Sequence, residues 1–171
     1  MNDPEVYDYN GCGIWAADQI LERYRRYCDE LNITPLDLTP MRHAERNREW
    51  IYPVMDKVID GIKAGDKACI RLGIAFIHED GSFPFGRILK AKTARALRLR
   101  LNDLTDSQKH QIRSRVIGML SRQYLPRELG EYVKLAAKLG MAARRGELLA
   151  LDDGDPFVNR HVSKLLAGVT S

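Results

Sequence analysis

The chain of 171 residues holds only three cysteines, Cys12, Cys28 and Cys69. They are an odd number without paired spacing, and two of the three sit in apolar helical patterns, which suits reduced, buried thiols better than a disulfide framework. Apolar runs are short and broken by charge, so no segment is long enough to cross a bilayer. The first residues carry Asp3, Glu5 and Asp8 where a secretory signal would be basic and then apolar. A cytoplasmic protein without a membrane partner is expected.

Catalytic and metal signatures are missing as well. No His-Glu-x-x-His or Cys-x-x-Cys spacing occurs, His43 and Glu45 are two apart, and His110 and His161 are isolated. Cys12 lies in a glycine turn with no histidine near it in sequence, and Gly11-Cys12-Gly13 lacks the lysine and the strand context of a phosphate loop. Asp152, Asp153, Gly154 and Asp155 resemble half of a calcium loop, but the closing bidentate acid is replaced by Ser163. His78, Glu79 and Asp80 place an imidazole beside two carboxylates, and an enzyme reading would start there. Adjacent residues at a helix end point in different directions, however; His78 in the last turn complements the helix dipole and Asp80 serves the turn that follows. No catalytic residue, metal or cofactor is assigned.

What is present is a helical pattern. With 44% hydrophobic and 29% charged residues, the chain can bury its own core. Its centre is 66–78, where apolar or small residues cover most of the circumference and Lys67, Arg71 and His78 share one narrow stripe. Asp66 caps the start, and Asp80-Gly81 with Pro84 ends it. The run 70–77 also has the composition of a buried strand, but its length favours helix. Residues 1–13 read as an irregular arm, followed by a helix over 14–31 and a proline-bearing loop over 32–40. A helix over 41–63 with Trp50, Val54, Val58 and Ile62 on one face is expected to kink near Tyr52, because Pro53 lies inside it. The loop 79–86 carries Phe83 and Phe85, expected to anchor it to the core. Further helices are read over 86–100, 105–123 (opened by a Thr105/Gln108 capping box), 126–143 and 157–167, with a short turn over 147–151. No stretch alternates with period two for long. The expected fold is all-α, a single helical domain over 14–171. Its short-turned successive helices resemble in layout the antiparallel hairpins of HEAT-like or armadillo-like solenoids.

Charge is unevenly spread. Residues 87–145 carry a net +11, against −5 for 1–86 and −2 for 146–171. If Arg87, Lys90, Arg95, Arg98, Arg113, Arg115, Arg122 and Arg127 share a surface, they form a face for a polyanion. The expected function is a non-catalytic protein-interaction or scaffold domain that holds an acidic partner. The alternative is nucleic-acid binding through the same face. A helix-turn-helix from 111–120 and 126–135 is disfavoured by Glu128 and Glu131 at the end that would enter the groove. Exposed aromatics can seal a homodimer as well as a core.

Overall fold

The computed structural model describes residues 3–81, 83–151 and 154–168. The protein is mostly helical and also has a small three-stranded mixed sheet. It forms two compact units, Met1–Leu89 and Lys90–Ser171.

In the first unit, β1 (Glu5–Asp8), α1 (Ala17–Leu31), β2 (Arg42–Glu45), β3 (Arg48–Ile51), α2 (Val54–Ala64) and α3 (Lys67–His78) follow in order. The central segment is a helix and not a strand. α3 buries Ala68, Cys69, Ile70, Leu72, Gly73, Ile74, Phe76 and Ile77, and Asp66 accepts a 2.7 Å hydrogen bond from the Cys69 N–H as its cap. Lys67 and His78 are left exposed, as the narrow polar stripe requires. The hydroxyl of Tyr24 on α1 accepts from the Leu36 N–H at 2.9 Å and donates to the second oxygen of Asp66 at 3.2 Å. One buried phenol thus joins α1, the 32–40 loop and the start of α3.

The expected helix over 41–63 is corrected by the structure: only 54–64 is helical. β2 and β3 form an antiparallel hairpin, with Arg42 opposite Ile51 and Glu45 opposite Arg48. Pro53 is the physical reason. With no N–H and a ring that crowds the preceding turn, it sits extended at φ −60° and ψ 131° and opens α2 instead of kinking it. Arg46 takes the left-handed conformation at φ 55° to close the hairpin, a turn without the usual glycine. The arm over 1–13 is likewise not wholly irregular. β1 pairs in parallel with β3, Tyr7 beside Trp50, so the sheet order is β1-β3-β2. Asn10 joins this sheet to α2: its side-chain oxygen accepts from the Val54 N–H at 2.8 Å, and its amide donates to the Tyr52 carbonyl at 3.3 Å. Of the two loop aromatics, Phe83 packs edge-on against buried Phe76 with centroids 5.2 Å apart, whereas Phe85 is 53% exposed and touches Tyr9.

The second unit holds most of α4 (Gly86–Arg98), then α5 (Asp106–Ser121), α6 (Leu129–Leu139), α7 (Arg145–Ala150) and α8 (Pro156–Ala167). Both halves of the Thr105/Gln108 capping box form. α5 buries the expected Ile112, Val116, Met119 and Leu120, and α6 buries Leu129, Tyr132, Val133, Leu135 and Ala136. α6 stops at Leu139 because Gly140, at φ 80°, breaks the helix there. Asp152 and Asp153 lie outside the described residues. Asp155 caps α8, accepting from the Phe157 N–H at 2.8 Å.

The contact between α2 and α3 depends on Gly61. A Cβ there would run into Sγ of buried Cys69 and lie 3.0 Å from its Cβ. Alanine in a helix interior normally gains about 1 kcal/mol over glycine, but overpacking a core costs about 1–3 kcal/mol. Gly61→Ala is therefore expected to lower stability by about 1–2 kcal/mol, read as a lower urea midpoint. Adding Cys69→Ala should recover most of that loss, because the colliding sulfur is gone.

Candidate functional site

The helical repeat brings together a cluster of charged side chains in the second unit. Three-residue spacing puts Arg95 and Arg98 on one stripe of α4, and spacings of three and four put Glu131, Lys134 and Lys138 on one stripe of α6. Glu131 is the hub, with its side chain only 13% exposed. One carboxylate oxygen meets Nε of Arg95 at 3.4 Å and Nη1 of Arg98 at 3.1 Å, and the other accepts from Nζ of Lys134 at 2.9 Å. Beside it lies a cleft of about 470 Å³ lined by Arg98, Lys134, Ala137, Lys138 and Gly168. Burial alone would push the Glu131 carboxyl up. Hydrogen bonds from Lys134, Arg95 and Arg98 outweigh it and hold the group down at about 2. Glu131 thus stays ionised, with Arg95, Arg98 and Lys134 on one carboxylate and Lys138 lining the cleft beside it. The surplus positive charge faces a cleft with an Ala137 and Gly168 wall, an arrangement whose donors are of the type that pairs with an anion.

The other basic residues singled out in the sequence are placed differently. Arg113 donates to the carbonyls of Leu139 and Gly140 at 2.6 and 2.8 Å, closing the end of α6. Arg122 donates from Nε to the Gly118 carbonyl of its own helix at 3.2 Å. Lys90 and Arg115 are 7% and 8% exposed. Lys90 shares its helix face with buried Thr93, Ala94 and Leu97, which draws its aliphatic stem inward. Arg87 lies in the first unit and is exposed, as is Arg127 in the second. Of the eight, Arg95 and Arg98 meet in the Glu131 cluster. Glu131, Lys134 and Lys138 were missed as site residues, although their spacing relative to one another was visible in the sequence.

The acid-base constellation does not assemble. Glu79 accepts from the indole Nε1 of Trp15 at 2.6 Å and lies 3.4 Å from Nη2 of Arg23, while His78 is exposed at the helix end. Cys12 is exposed, and Cys28 and Cys69 are buried free thiols. Burial pushes both buried thiols above the ordinary range, which keeps them protonated and unreactive. Among the described residues no three His, Cys, Asp or Glu side chains converge as metal ligands.

Because Glu131 titrates lower in the folded chain than its usual value near 4.5, it adds stability above that pH, which is lost as pH falls from 4.5 toward about 2. Discounted for its half-exposed partners, the contribution at neutral pH is about 1–2 kcal/mol. Glu131→Gln should lower stability at pH 7 by that amount and flatten the acid limb of a stability-against-pH profile measured by urea unfolding. Comparison of the chain with family models, curated proteins and solved structures gives no match.

Proposed function

We propose that the chain is a non-catalytic helical interaction module whose 90–171 unit holds an acidic segment of a partner protein in the cleft between α4 and α6. The observation that carries this reading is the Glu131 cluster, in which three cations converge on one carboxylate while Lys138 lines the same cleft. A partner carboxylate entering the cleft finds guanidinium and ammonium donors already held in place, so little ordering entropy is lost on binding. The helical-hairpin scaffold reading is supported by the close packing of consecutive helices, α2 with α3 and α5 with α6. The free thiols favour a reducing, cytoplasmic setting.

Nucleic-acid binding through the same unit is the rival reading. A nucleic acid needs cations spaced along a path of phosphates. Here Arg113 and Arg122 are committed to backbone carbonyls, and Lys90 and Arg115 are buried. The compact cluster that remains matches one or two carboxylates better than a long phosphate backbone. No helix is long and apolar enough to cross a membrane, among the described residues.

The test is fluorescence anisotropy with a labelled glutamate-rich peptide and with single-stranded and duplex DNA, each at low and at moderate salt. The peptide should bind at low salt, and Lys134→Ala combined with Lys138→Ala should weaken it about tenfold. DNA binding tighter than peptide binding, or peptide binding indifferent to the two lysines, overturns the reading.

A further inference from the structure

None of the twelve residues in the three strands is buried. A small sheet that neither face packs into a core is marginal by itself; its two edge strands are β1 and β2, and of these β1 is the one whose charged residues are all acidic. The backbone bonds from the Glu5 N–H to Asn47 and from the Tyr9 N–H to Ile51, both 2.9 Å, show that the odd-numbered residues turn their polar groups toward β3. In a parallel ladder the alternate residues turn theirs the other way. Val6 and Asp8 therefore present N–H and C=O groups to the open side, and Pro4, which has no N–H to present, occupies the same set of positions. Val6 is also 51% exposed.

The edge is held straight from behind. On one face the Tyr7 and Trp50 rings stack with centroids 5.8 Å apart and planes 12° from parallel, and His43 stacks on the far side of Trp50 at 5.5 Å. The Trp50 ring is therefore engaged by a neighbour on each flanking strand. The free recognition groups are thus those of the backbone edge. Their electrostatic setting is acidic: Asp3, Glu5 and Asp8 are exposed along 3–8, which contains no basic residue. Arg48, 3.5 Å from Glu5, is the counter-ion there. Like charges directly opposite one another on paired strands repel, and opposite charges attract. A second β1 is repelled, and a basic strand is drawn in.

We propose that the open edge of β1 is a strand-addition site for an extended segment of a partner protein that carries lysine or arginine. The segment pairs its backbone with Val6 and Asp8 and sets its cations opposite Glu5 and Asp8. Because the edge is four residues long, the complex is small and transient. This site lies in the first unit and has the opposite charge preference to the cleft in the second, so it stands or falls independently of that reading.

Val6→Pro separates strand addition from other modes of binding. It deletes an N–H that faces away from β3 and leaves the β1–β3 ladder its own bonds, which is where a strand tolerates proline. The full chain is panned against a random-peptide display library, with V6P as the counter-selection. Enrichment of lysine- and arginine-bearing sequences is expected, with the synthesised winner binding about tenfold weaker to V6P and more weakly as salt rises. A second variant, Glu5→Gln with Asp8→Asn, keeps every backbone N–H and should cost about threefold or more at low salt; it decides the matter if V6P fails to fold. The proposal is overturned if no clone distinguishes the wild-type chain from V6P, if the winners are acidic, or if the wild-type chain self-associates in light scattering and V6P does not.

Discussion

A single phenolic oxygen holds the first unit in its arrangement. Tyr24 is buried, and its hydroxyl must find partners there or cost the fold the price of a desolvated polar group. It finds two, the Leu36 N–H and the Asp66 carboxylate, and Asp66 turns its other oxygen to the Cys69 N–H at the head of α3. α1 can therefore lie against α3 in one register, and the 32–40 loop can cross them at one place. With that register fixed, α2 approaches α3 closely enough that only glycine fits at position 61. A network in which every member is satisfied specifies one packing; a loose apolar contact of the same area would tolerate several.

The same need for satisfaction ties part of the basic block into the fold through backbone contacts. Arg113 donates to the carbonyls that close α6, and Arg122 adds a side-chain donor to the Gly118 carbonyl that already accepts from its own backbone N–H. Glu131 shows the converse. One acid in a basic stretch gathers cations from two helices and keeps them apart from other duties. The acid that argued against a groove-binding helix in the sequence is thus what concentrates positive charge into a single cleft.

Local signals were legible in the sequence wherever they were sufficient. The enclosed circumference of α3, its Asp66 cap and the Thr105/Gln108 box depend on residues within a turn or two of one another, and all appear as read. The hairpin did not, because the periodicity of 54–64 was extended backward through Pro53, and because the turn at Arg46-Asn47 lacks the glycine that usually marks such a corner. β1 was beyond local reasoning altogether: its partner is some forty residues away, and four residues have no pattern of their own. For the site, composition conveyed the sign of the charge but not its direction. Arg95 and Arg98 were found by clustering, whereas Lys134 and Lys138 read only as the solvent side of a helix. Their meaning came from Glu131, the neighbour they share.

The two candidate contacts differ in what holds them, and this has a consequence for how sequence can vary at each. The cleft is made of side chains projected from helices whose inner faces are core, so exchanging a lysine for an arginine keeps the charge while moving its position, and the geometry around Glu131 then decides the outcome. The β1 edge recognises through backbone groups that every residue except proline supplies. Val6 can change to many residues without loss of the hydrogen bonds, provided that the carboxylates beside it remain and proline stays out. A contact of that kind needs almost no sequence signature, so four exposed residues with no motif can still form a specific edge.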